Sequence, residues 1–146
     1  MSWWDDAIGR SAQITRVFTV EDLRDYDALA GEASPSERVP EPLIAGLFST
    51  LLGVHLPGPG TNYLKQTMRF PGGAAAGEPL IATVEITSVR PEKRLVRLAT
   101  RCTDEDGGLI CHGEALVLAG GIAAEAVPDG GAPDANENDK EEVSGR

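Results

Sequence analysis

The stretch from Pro42 to Gly53, Pro-Leu-Ile-Ala-Gly-Leu-Phe-Ser-Thr-Leu-Leu-Gly, limits the fold more than any other part of the chain. Glu41 leads it, Pro42 suits a first helical turn, and Gly53 suits the exit. Ser49 and Thr50 are its only interior polar residues, so apolar side chains fall on every face. A helix that is apolar all round is expected to be buried all round. It falls well short of the ~20 residues needed to span a bilayer. In a chain of 146 residues, the way to bury such a helix is to curl a sheet around it.

The flanking sequence supplies that sheet. Ser11–Thr19 has Ile14 and Val17-Phe18 among polar residues, a strand pattern. Thr19 with Asp22 three residues on makes a capping box for a helix over Val20–Ala30, which Gly31 stops. Beyond the central helix, Thr61–Phe70 reads as a strand. Leu80–Val89 follows with Leu80, Ala82, Val84 and Ile86 on one face. In Leu95–Thr103, Val96, Leu98 and Cys102 alternate with outward Arg97 and Arg101, and Leu109–Leu118 returns with Leu109, Cys111, Ala115 and Val117 inward. A two-residue turn at Asp106-Gly107 would set Cys102 opposite Cys111 and His112 opposite Arg101. The last three strands form an antiparallel meander, and the fold class is α+β.

Charge and cysteine content narrow the function. With 13 Lys and Arg against 23 Asp and Glu, the net charge is −10, which argues against nucleic acid and anionic membranes as partners. The start, Met-Ser-Trp-Trp-Asp-Asp, has neither the basic nor the apolar segment of a signal peptide, so a cytoplasmic protein is expected. In a reducing cytosol Cys102 and Cys111 are two small core thiols, although a cross-strand disulfide is geometrically conceivable. Two His and two Cys without close pairs give no metal-ligand spacing. Trp3 and Trp4, in a lead over residues 1–10, are expected to pack on the domain or on a second subunit. One domain over residues 1–119 is expected, followed by an acidic tail over 120–146, disordered from about Pro128 onward.

The segments Ile8-Gly9 through Asp22, Gly46-Leu47-Phe48-Ser49-Thr50-Leu51-Leu52-Gly53, Leu56-Pro57-Gly58-Pro59-Gly60-Thr61 and Gly113-Glu114-Ala115-Leu116-Val117 carry a family likeness. In that order they resemble MaoC-like (R)-specific enoyl-CoA hydratases from about Ile8 to Leu118. The resemblance implies a hot-dog fold, a curled antiparallel sheet wrapped around one long helix, assembled as a dimer or larger. It implies no metal and no cofactor, the ligand being an acyl thioester of coenzyme A or of acyl carrier protein. The family hydrates trans-2-enoyl thioesters or dehydrates the (R)-3-hydroxy form. A loop Gly-Asp-x-Asn-Pro-(Ile or Leu)-His supplies the acid–base pair, and a His-Gly at the start of the central helix offers an N–H to the thioester oxygen. The acyl pocket would draw on Leu43, Gly46, Leu47, Phe48 and Ser49.

This chain departs from the pattern where the chemistry lies. Gly31-Glu32-Ala33-Ser34-Pro35-Ser36-Glu37 takes the place of the loop, with Glu32 at the Asp position and Glu37 at the His position. Arg38 to Leu43 is shorter than the family's segment, and Pro40-Glu41-Pro42 replaces His-Gly and its successor. Pro42 has no N–H, and Glu41 brings a carboxylate to an oxyanion position. Neither His55, at the end of the helix, nor His112, facing outward on its strand, stands where the family keeps its catalytic His. The expectation is a hydratase-family protein that has lost its acid–base pair, either a partner for an active homologue or an acyl-thioester binder in its own right. An active hydratase using Glu32 as base, and a structural oligomer that binds no thioester, are the competing readings. A hot-dog thioesterase would keep its carboxylate on the central helix, whose interior has none.

Overall fold

In the computed structural model the described residues are 2–31 and 37–121. Glu32 and residues 122–146, most of the expected tail, lie outside them. Five strands form one antiparallel sheet in the order β1-β3-β4-β5-β2: β1 Ser11–Val17, β2 Asn62–Arg69, β3 Pro79–Arg90, β4 Leu95–Asp104 and β5 Leu109–Leu118. A short helix, α1 (Val20–Ala30), precedes the central helix α2 (Glu41–Thr50). Thr19 Oγ1 accepts from the Asp22 N–H at 3.0 Å while Asp22 Oδ2 accepts from the Thr19 N–H at 2.9 Å, the reciprocal cap read from the sequence. Gly31 closes α1 in the left-handed region at φ 79°.

One face of the sheet carries the core. Leu80, Ala82, Val84 and Ile86 of β3 are fully buried, and Val96, Leu98, Thr100 and Cys102 of β4 repeat the period of two beside them. Against this face α2 and the turn that continues it present Ile44, Leu47, Phe48, Leu51 and Leu52, all buried, at the spacing of one helical stripe. Each such side chain contributes roughly 1.5–3 kcal/mol by leaving water. The lead packs here as well: Trp4 is buried, Trp3 meets it edge-on at 4.9 Å, and Arg10 lies over the Trp3 ring.

Three local expectations need correction. The central helix is not buried all round: Glu41, Pro42, Gly46, Ser49 and Thr50 are exposed. A single sheet covers only one side, and the residues on the other side are small, so little apolar area stays wet. Nor does the helix stop at Gly53. It continues as a wider π turn over Leu51–His55, closed by the Leu56 N–H to the Leu51 carbonyl at 2.7 Å, and Leu51, Leu52 and Leu56 all stay buried. The β4–β5 connection is also not a two-residue turn. The Asp104 N–H donates to the Gly108 carbonyl across a three-residue loop with Gly107 at φ 86°. A bulge between Cys102 and Thr103 then shifts the register back by one, so Cys102 still faces Cys111 and Arg101 still faces His112. The bulge is also why Ile110 and Cys111, consecutive in β5, are both buried.

Candidate functional site

The sheet places the start of α2 at the end where β4 turns into β5. The Val39 N–H donates to the Ala74 carbonyl at 2.8 Å, and the Gly72 N–H donates to the Ile110 carbonyl at 3.4 Å, so the chain enters α2 beside Ile110 and Cys111. Cys102 and Cys111 are buried free thiols facing each other. Burial pushes the Cys111 thiol up to about 11, and the neighbouring Cys102 and the Glu41 carboxylate add to it. Cys102 is pushed up to about 11 by burial. The Glu41 carboxylate, at the mouth of the helix, is thus close enough to the thiols for its charge to be felt there.

That mouth is short of backbone donors. Pro40 and Pro42 have no N–H, and the Leu43 N–H turns back to the Pro40 carbonyl at 3.0 Å. Of residues 40–43, only Glu41 keeps an N–H not committed to an acceptor among the described residues. No side chain caps this end. An anion here would meet one N–H and, beside it, a carboxylate of like sign.

The residues read from the sequence fall into separate places. Glu37 is exposed at φ 55°, a left-handed conformation uncommon outside glycine. It lines a shallow cavity of about 190 Å³ with Val20, Leu23, Arg24 and Asp27, on the α1 side rather than at the mouth of α2. Glu32 lies outside the described residues. Leu47 and Phe48 point into the core, Leu43 is half-buried, and Gly46 and Ser49 lie on the open face of α2. The five are thus split between two sides of one helix. Neither histidine is at the helix start. His55 is exposed at the far end, ~20 Å along the helix axis. His112 is exposed on the sheet face opposite the core.

One contact on the open face of α2 escaped the sequence. Tyr63, at the start of edge strand β2, comes within reach of Ser49; partial burial pushes the phenol above its ordinary value, while the Ser49 hydroxyl works the other way. The only sequence signal was an aromatic at the head of a strand, which does not say which helix residue it meets.

Comparison with known proteins fixes the family, although no family model matches the chain. The (R)-specific enoyl-CoA hydratase of Aeromonas caviae is 32% identical over 124 residues, covering 75% of this chain and 92% of that protein. Its counterpart in Rhodospirillum rubrum is 30% identical over 124 residues, covering 75% and 85%. The chain belongs to the (R)-specific enoyl-CoA hydratase family. The solved (R)-hydratase from A. caviae, involved in PHA biosynthesis, superposes with a TM-score of 0.74 at 31% identity, over 77% of this chain and 96% of that one. The hot-dog fold expected for the family is therefore the fold observed: five antiparallel strands against one central helix. Among the described residues no helix is long and apolar enough to cross a membrane.

Proposed function

We propose that this hot-dog protein is a hydratase-family subunit without its own acid–base pair, which binds an acyl thioester beside, or as the partner of, an active homologue. The thioester would be carried by coenzyme A or by acyl carrier protein. One observation carries the reading: the chain has two histidines, and neither is at the start of α2. General acid–base work near neutral pH is best served by an imidazole within hydrogen-bond reach of the substrate. The depleted donor set at Pro40-Glu41-Pro42 supports the same conclusion, because an oxyanion needs fixed N–H groups and no neighbouring carboxylate. The exposed small-residue face of α2 and the edge of β2, unpaired among the described residues, offer the surface for a second hot-dog chain, identical or not.

The test is hydration of crotonyl-CoA by the purified chain, followed as loss of the enoyl absorbance, with Glu32→Ala in parallel. No turnover above the uncatalysed rate is expected from either protein. Turnover that Glu32→Ala abolishes would overturn the proposal and make Glu32 the base of an active hydratase. Capture of a family member that keeps the Asp and His would supply the partner.

A further inference from the structure

The outer face of the sheet holds a concentration of positive charge that the site does not use. Three side chains form a row across β2, β5 and β4: Arg69 is directly opposite His112, and His112 is directly opposite Arg101. All three are exposed. With strands ~4.8 Å apart, the row is ~10 Å long. Two rows further along, Lys65 and Arg97 flank Leu116 on the same face. The acidic groups on this face are Glu114, which Arg97 binds at 2.9 Å, and Glu85, which is opposite Ala99. Among the described residues neither Arg69 nor Arg101 has an ion-pair partner. This basic row belongs to a chain of net charge −10, whose described acidic residues lie mostly on α1, in the lead and, three residues beyond Arg101, on the β4–β5 loop.

Two further observations give the row a use. It lies at the end of the sheet where the chain enters α2, since the Gly72 N–H donates to the carbonyl of Ile110, two residues before His112, and the Val39 N–H to that of Ala74. Next to it is an open groove of about 520 Å³ lined by Thr67, Met68, Arg69, His112, Gly113 and Glu114. A free coenzyme A thioester has no need of a protein-sized basic face. An acyl carrier does: it is an acidic protein that must rest beside the site while a long phosphopantetheine arm reaches in.

We propose that the Arg69–His112–Arg101 row is the docking surface for an acidic acyl carrier protein, which makes the carrier-borne thioester the ligand of this chain. The inference rests on the thioester-binding reading above. Charge complementarity at an exposed rim speeds encounter and is weakened by salt.

The test compares butyryl-CoA with butyryl-acyl carrier protein, saturated thioesters that hydration cannot consume, binding to the full chain and to Arg69→Glu/Arg101→Glu. Titration calorimetry at low and high salt is the readout, with the circular dichroism melt confirming that the double variant folds. Reversing both charges is expected to weaken carrier binding by about tenfold or more, with loss of most of its salt dependence, and to leave butyryl-CoA binding unchanged. Carrier binding that is indifferent to the reversal overturns the proposal. So does an equal loss for both ligands, which would assign the arginines to coenzyme A or to the fold. A chain that binds neither ligand overturns the thioester reading itself, a result distinct from the other two.

Discussion

Replacing Gly46 by Ala tests whether the open face of α2 is open. Gly46 is in the middle of the helix, exposed, with ordinary helical φ, and a Cβ built there meets nothing within 4 Å. The Thr50 hydroxyl donates to the Gly46 backbone carbonyl at 3.2 Å, a bond the substitution leaves in place. The isolated chain therefore gains helix propensity and loses no contact, about 1 kcal/mol in favour of the folded state. For a domain near 100 residues that raises Tm by about 4 °C. The assay is thermal unfolding by circular dichroism, at a concentration where sedimentation shows single chains. On the proposed function the same methyl group intrudes on a face that a second hot-dog chain covers, so capture of a homologue should weaken as the isolated chain gains stability. Loss of stability in the single chain would refute the reasoning, because it would mean that the added carbon meets something the open face does not contain.

Two further outcomes follow from the sheet. Gly113→Ala should cost about 2 kcal/mol or more, because the new Cβ would run into the Thr67 carbonyl oxygen of β2. Hydrogen exchange should then show lost protection in β2, which among the described residues pairs only with β5, and intact protection between β3 and β4. Cys102 and Cys111, both pushed up to about 11 by burial, should resist iodoacetamide at pH 8 in the folded chain and react on unfolding. Their raised values mean that the folded state holds these protons more tightly than the unfolded chain does. Stability should therefore be unaffected below pH 9 and fall as the pH climbs from about 9 through 11, read as the urea midpoint against pH.

Much of the frame was legible because it rests on local periodicities. The period of two in Leu80–Ile86 and in Val96–Cys102 fixes which faces are inward, and the Thr19–Asp22 box fixes a helix start, without knowledge of the rest. The Cys102–Cys111 pairing came out right for a partly wrong reason. The loop is one residue longer than the Asp106-Gly107 turn implies, and a bulge, which leaves no clear mark in sequence, cancels the error. What stayed hidden is set by chain segments meeting from afar. That β2 pairs with β5 decides that Arg69 joins Arg101 and His112, and that Tyr63 reaches Ser49, and neither fact is written near those residues. The helix environment was misread because hydrophobicity counts residues, whereas burial depends on area: Gly46 and Ala45 look apolar yet expose little when left in water. At the helix start, Glu41 and Pro42 were legible as letters, while their consequence for the N–H donors needed the backbone, which shows the Leu43 N–H already spent on the Pro40 carbonyl.

That consequence has a physical logic which links fold to function. A proline in the first helical turn sacrifices an N–H that the helix does not use, and its fixed φ suits the entry. A carboxylate at the same end meets the positive pole of the helix and contributes typically 0.3–1 kcal/mol at low ionic strength. Glu41-Pro42 is thus a good helix start for stability. It is a poor one for chemistry, since a developing oxyanion needs those same N–H groups free and no negative neighbour. In a working site the demands of folding and of catalysis oppose each other at this point, and the strain is kept because the reaction needs it. On the proposed function, the helix start of this chain sits on the folding side of that opposition, above the buried stripe of Ile44, Leu47, Phe48, Leu51 and Leu52 that seats the helix on the sheet. A chain kept for its shape and its surfaces would drift in this direction, because nothing at the mouth of α2 would hold the unfavourable residues in place.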